Sequence, residues 1–308
     1  MESFVSTGAP GAPKPSKNER REAAREKARV LREAQQKREK RNRFLLIGGI
    51  GAVVIAAVVV VALILTTNIR PAGPGPANMA SDGIKIGTGL VAETTPALPA
   101  GAEPTEPSAN PANVVDIRIW VDYFCPVCGA FEAANNEQIR GWVEDGSATI
   151  DIHPIAILDN RSMGTKYSTR SANAAACVAN TSPDKYFDFS QILFENQPEE
   201  QTVGLDDETL ISLTEQAGVT GASTIAKCIE DQTYAKWVSD STTRALTGPL
   251  PGTDVPKVEG TPTVIVNGVQ YKGAVDDPEE FAAFVLAQSS TPEASSTPTP
   301  TPSPAATQ

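Results

Sequence analysis

Cys125 and Cys128, with Pro126 and Val127 between them, have the spacing of a pair that can alternate between dithiol and disulfide. The stretch before them, Val114 to Phe124, is dominated by β-branched and aromatic residues and reads as a strand. After them Phe131, Ile139, Trp142 and Val143 recur at helical spacing. A strand therefore delivers Cys125 to the first turn of a helix, where unpaired backbone N–H groups and the positive end of the helix dipole favour thiolate over thiol. Cys125 is the expected nucleophile. Pro126 suits the first helical position, since its φ is already helical and it has no N–H to leave unpaired. Cys128, one turn on and less exposed, is placed to attack a mixed disulfide formed at Cys125 and release the partner. With Val127 completing the motif, this chemistry needs no cofactor. The competing reading of a CxxC is half of a zinc site, which needs two more Cys or His ligands at suitable spacing. The sequence offers no second close pair and one histidine, His153, so no metal is expected.

Positioning this pair requires a β-α-β unit, and Ser147 to Leu158 supplies its second strand. A largely helical stretch follows, over 168–180, 184–195, 207–217 and 225–246, punctuated by Gly and Pro. Strand returns with Thr263 to Val266, turns at Asn267-Gly268, a strong hairpin signal, and pairs again through Val269 to Lys272 before a helix over 277–287. The order is β-α-β, inserted helices, then β-β-α. Gly260-Thr261-Pro262-Thr263 opens the last hairpin, and an X–Pro bond there is trans by default.

The rest of the chain is uneven. Residues 1–43 hold 13 of the 26 Lys+Arg and carry a net charge of +7, whereas residues 44–308 carry −18. Between these surfaces runs FLLIGGIGAVVIAAVVVVALIL, residues 44–65, long and apolar enough to span a bilayer as a helix. Its length, the long basic region before it and the lack of a small-residue cleavage site after it favour an uncleaved anchor over a signal peptide. The Lys/Arg asymmetry puts residues 1–43 in the cytoplasm and the acidic part outside, a single-pass cell-membrane protein whose working domain is extracytoplasmic. The basic run reads as a solvated helix of mixed charge, with no nucleic acid as its partner. Residues 66–113, rich in Pro, Ala, Gly and Thr, read as weakly structured linker, with a possible edge strand at 83–89. Residues 289–308 read as a disordered Ser/Thr/Pro tail. All four cysteines fall in the exported part, where disulfides persist.

Over 114–288 the chain resembles the DsbA-like thioredoxin-fold thiol–disulfide oxidoreductases, in particular the membrane-anchored ones of actinobacteria-like envelopes. The likeness is carried by Asp122-Tyr123-Phe124-Cys125-Pro126-Val127-Cys128, by the helical insertion at about 167–247, and by Gly260-Thr261-Pro262-Thr263 followed by Val266-Asn267-Gly268. It implies an α/β thioredoxin-like fold with an inserted helical subdomain, here preceded by one transmembrane helix. It also implies that Pro262 is a cis-proline stacked against the CxxC and that Thr261 offers its backbone to an extended substrate. The implied partners are exported unfolded or thiol-containing proteins and a quinone-linked membrane thiol oxidase that reoxidises the dithiol. Two positions depart from the family pattern. Val127 stands where related proteins often carry a polar or aromatic residue, and Ile119 stands where many carry a buried Asp or Glu that exchanges a proton with the second cysteine. Asp122, three residues on and on the other face of the strand, is not expected to substitute for it.

Cys177 and Cys228 both lie on expected helices of the insertion, and a structural disulfide between them is preferred to a second electron relay, since neither sits at a helix N-terminus. His153 reads as a packed structural residue. Three functions remain: a dithiol oxidase for exported proteins, a dedicated reductase or isomerase, and a non-enzymatic adaptor built on the same scaffold.

Overall fold

The period-two alternation of Val115 to Val121 turns Ile117, Ile119 and Val121 to one side and Asp116, Arg118 and Trp120 to the other, and this division organises the fold. The computed structural model describes residues 73–289 continuously, together with scattered helical residues between Arg25 and Arg38. The expected transmembrane segment at 44–65 lies outside the described residues, as does the tail beyond Ser289. Among the described residues no helix is long and apolar enough to cross a membrane. In the N-terminal unit, Glu26 and Arg29 form an exposed ion pair at 2.7 Å.

In chain order the main unit runs Ile84–Gly87 (β1), Val91–Ala92 (β2), Val115–Val121 (β3), Pro126–Glu144 (α1), Ala148–Pro154 (β4), Tyr167–Thr181 (α2), Tyr186–Glu195 (α3), Asp207–Gln216 (α4), Ala222–Glu230 (α5), Ala235–Thr247 (α6), Thr263–Val266 (β5), Val269–Gln270 (β6) and Pro278–Ser289 (α7). One six-stranded sheet has the order β2-β1-β4-β3-β5-β6. Only its β3–β4 pair is parallel, the others being antiparallel. Registers Ile84↔Ile152, Ile119↔Ile152 and Ile119↔Val264 align the apolar side chains on one face. These form the main core with Phe131, Ile139 and Val143 of α1 and with Phe281 and Val285 of α7. A smaller cluster of Trp120, Ile155, Ala245, Leu250, Val258 and Ile265 covers the opposite face.

The five helices α2 to α6 occupy Tyr167–Thr247, where the inserted subdomain was expected. A disulfide joins Cys177 on α2 to Cys228 on α5. The single helix expected over 225–246 is two helices. After Glu230 the chain turns through Gln232, whose φ is +48°, and the buried Asn173 side chain accepts the Tyr234 N–H at 2.7 Å as α6 begins.

Residues 73–113 are not loose linker. β1 pairs with β4, and the segments around it are tied to the domain: Asn78 Nδ2 donates to the Ala179 carbonyl at 2.9 Å, Asp82 binds Arg244 through both carboxylate oxygens at 2.6 and 2.7 Å, and Lys85 donates to the Ser108 carbonyl. Met79, Ala80, Ile84 and Ile86 are buried. A Pro- and Ala-rich chain is already extended, so it can lie along a surface whose side chains satisfy its backbone without forming a ladder of its own. At Gly83 a Cβ would collide with the side chains of Asp151 and His153, so any larger residue there would have to displace these two buried groups.

Candidate active site

β3 ends at Val121, and residues 122–124 turn the chain into α1. Two side chains hold that turn. Asp122, fully buried, accepts the backbone N–H groups of Phe124 (2.9 Å), Ile157 (2.8 Å) and Leu158 (3.0 Å), linking the turn to the segment after β4. From the other side Gln197, just past α3, donates its Nε2 to the carbonyls of Tyr123 (3.1 Å) and Cys125 (2.9 Å). The helix then starts with Cys125 as its N-cap residue and Pro126 in its first turn. Gln197 has no motif to mark it; Asp122 is in the motif, but two of its three partners lie 35 and 36 residues away and become visible only in the fold.

The Thr261–Pro262 peptide bond is cis, and the loop brings the Thr261 carbonyl within 3.3 Å of Cys125 Sγ, which donates to it. Within that loop Thr263 Oγ1 donates to the Gly260 carbonyl at 2.7 Å. Cys125, Cys128, Thr261 and Pro262, far apart in sequence, are thus together. Both active-site cysteines are free thiols. Cys125 is 7% exposed, less than a freely exposed nucleophile, and Cys128 is 0% exposed, while Val127 between them is 46% exposed at the rim.

The two thiols are driven in opposite directions. Cys125 is lowered from 9.0 to about 6, chiefly by the hydrogen bond from the Cys128 thiol. Burial opposes this, and the Thr261 side chain and the backbone N–H groups of Cys128 and Val127 add to it. The helix N-terminus contributes, but the second thiol contributes more. Cys128 is raised, first by burial and then by its interaction with Cys125. The buried Thr261 hydroxyl makes no hydrogen bond of good geometry, yet lies near enough to favour the thiolate of both cysteines.

Tyr123, within electrostatic reach of both Cys128 and Glu132, belongs to a group of buried hydroxyls. Tyr123 donates its hydroxyl to Ser190 Oγ at 3.1 Å and lies 3.2 Å from the Tyr186 hydroxyl. Glu132, one turn beyond Cys128 on α1, accepts Asn136 Nδ2 at 2.9 Å and is pushed up to about 7 by burial. Position 119 holds a buried isoleucine facing α1. His153 is buried and stacks on Trp120, ring centroids 4.3 Å apart, on the far face of the sheet with its partner Asp151 at 3.3 Å. It takes no part in this site. Among the described residues no three His, Cys, Asp or Glu side chains are placed to hold a metal ion.

Comparison with known proteins bears on the family and the fold. The sequence pattern of a family described as Thioredoxin matches residues 109–286. Reduced DsbA of Mycobacterium tuberculosis superposes with a TM-score of 0.51 at 26% identity, over 68% of this chain and 93% of that one. BdbD of Bacillus subtilis, at 18% identity and a TM-score of 0.50 over 72% of this chain and all of that one, shares the fold. The serine/threonine-protein kinase PknE of Mycobacterium tuberculosis is 32% identical over 116 residues, 37% of this chain. That match spans a fifth of the kinase's length.

Proposed function

The chain belongs to the thioredoxin family, and on that premise we propose that it is a DsbA-type thiol–disulfide oxidoreductase working as a dithiol oxidase on exported proteins. One observation carries this reading: Cys125, held as the N-cap of α1 against the carbonyl before cis-Pro262, ionises near neutral pH while the buried Cys128 resists ionisation. In the oxidised protein a substrate thiolate attacks Cys125 Sγ, the Cys125–Cys128 bond breaks, and its electron pair leaves with Cys128, which takes up a proton. A second substrate thiolate then attacks the substrate sulfur of the mixed disulfide. The bond to Cys125 breaks, Cys125 departs as a stable thiolate, and the substrate keeps its new disulfide. Substrate has lost two electrons and the enzyme holds them as a dithiol.

The reading extends to where this happens. The basic segment at 1–43 and the apolar run at 44–65 support a single-pass anchor with the catalytic domain outside the cytoplasm. A quinone-linked membrane thiol oxidase is the class of partner that would return the dithiol to disulfide. Thr261 would offer its backbone to an extended substrate in place of the Cys125 thiol it now binds. The test is the reduction potential of the Cys125–Cys128 pair, measured together with oxidation of a reduced unfolded protein. A potential near that of thioredoxin, with no oxidation, overturns the reading. A reductase or isomerase is the second reading, favoured by the exposed Val127, whose apolar side chain adds nothing polar to what its backbone N–H gives the thiolate. Trapping mixed disulfides with Cys128→Ala separates them, many partners indicating general oxidation and few indicating dedicated reduction.

A further inference from the structure

The exchange reaction leaves a proton unassigned. Cys128 is fully buried, and each cycle requires it to gain or lose a proton where water does not reach. The position from which a carboxylate could serve it on β3 is Ile119. Asp122 is the nearest acid in sequence, but its two carboxylate oxygens already accept three backbone N–H groups, and protonation would weaken bonds that hold the active-site turn.

Glu132 has none of these commitments. It follows Cys128 by four residues on α1, so the two side chains lie one above the other on the same face of the helix. It borders a narrow crevice with no room for a water, which it shares with Asn136 and Ile139 of α1, Ile150 and Ile152 of β4, and Phe187 and Ser190 of α3. Ile152 is the cross-strand partner of Ile119, so this is the side of the sheet that a carboxylate at 119 would have faced. Ser190 carries the connection back, since its Oγ accepts the Tyr123 hydroxyl at 3.1 Å, and Tyr123 lies within electrostatic reach of both Cys128 and Glu132. Tyr123 is the titratable group that interacts with Glu132 directly; through it Glu132 connects to Cys128 and to Tyr186, all three raised by burial and neutral near pH 7, with the Asp151 carboxylate acting on Tyr186. Glu132 itself keeps partial exposure, which lets its proton exchange with solvent.

We infer that Glu132 is the proton acceptor and donor for Cys128, acting across the Tyr123–Ser190 hydroxyl pair. In the reducing direction Cys128 gives its proton to the Glu132 carboxylate as its sulfur attacks Cys125 Sγ. The bond from Cys125 to the partner sulfur breaks, and the partner leaves with the electron pair. In the oxidising direction protonated Glu132 returns that proton to the departing Cys128 thiolate. The pKa of Glu132, raised to about 7 by burial, suits both directions near neutrality.

This rests on the thiol–disulfide exchange proposed above, and the experiment separates the two. A mixed disulfide of Cys125 with 5-thio-2-nitrobenzoate is formed on the full chain, and release of the coloured thiolate by Cys128 is followed from pH 5 to 9. The native chain is expected to release it with a rate that rises through an inflection near pH 7. Glu132→Gln is expected to slow release at neutral pH by about 10²-fold and remove that inflection. Glu132→Asp should restore part of both, and Ser190→Ala should weaken both if Glu132→Gln does not fold. Alkylation of Cys125 should keep its native pH profile in each variant. No release from the native chain at any pH would overturn the exchange reading. Release with an unaltered profile in Glu132→Gln would overturn the proton role alone, and loss of the inflection in Asp122→Asn instead would assign it to Asp122.

Discussion

Cys125 shows how one neighbour outweighs a motif. A helix N-terminus was sufficient reason to expect a thiolate, yet the largest favourable contribution is the Cys128 thiol, which gives its hydrogen to the Cys125 sulfur. Cys128→Ala should therefore raise the pKa of Cys125 more than any change at Val127, and the pH dependence of its alkylation rate measures this. The sign of the linkage is fixed by the direction of the shift. Because the folded pKa lies below the ordinary value of 9.0, the stability conferred on the reduced form is complete above that value and is lost as pH falls through about 6. At pH 7 it contributes roughly 1 kcal/mol after allowance for solvent screening. That corresponds to about 20 mV toward a more oxidising couple. A reduction potential that does not become less oxidising, relative to a thiol of ordinary pKa, as pH is lowered from 8 to 5 would contradict it.

At the scale of the elements, the strand-to-helix junction and the hairpin after Pro262 were readable because short-range rules govern them: alternation, a proline in the first helical turn, Asn-Gly between apolar runs. What holds the junction was not readable, because Asp122 and Gln197 act on backbone groups far away in sequence. The helix break before α6 was missed for a similar reason, since the buried Asn173 that caps it lies 61 residues earlier. Asp122→Ala leaves three backbone N–H groups without their acceptor and should cost about 3 kcal/mol or more, at about 1–3 kcal/mol for each buried group left unpaired. Chemical denaturation of the reduced protein measures the loss. Replacing Cys177 and Cys228 together by alanine should cost about 4 kcal/mol, the chain entropy of a closed loop of that length, while leaving the Cys125 alkylation profile in place. A large change in that profile would make the second disulfide part of the redox site.

For the whole molecule, composition misled where it was applied to residues 66–113 as one block. The short run Gly83 to Gly87 signalled a strand, but the Pro- and Ala-rich flanks gave no sign of being packed, because extended chain without periodicity looks the same in sequence whether or not a surface waits for it. The structure uses 73–113 to finish the sheet. β1 covers the free edge of β4, Ile84 and Ile86 join the main core, and Asp82 ties the wrap to α6 through Arg244. The thioredoxin match begins at residue 109 and so omits most of it. A protein beginning at residue 109 would expose the backbone edge of β4 and the apolar faces of Ile150 and Ile152, inviting strand pairing between copies. Burial of Ile84 and Ile86 alone is worth about 3–6 kcal/mol. Compared with a protein beginning at residue 73, the shorter one should melt at a clearly lower temperature and self-associate in light scattering, with Cys125 and Cys128 unchanged. Equal melting temperatures and a monodisperse shorter protein would show that the wrap adds nothing to the fold.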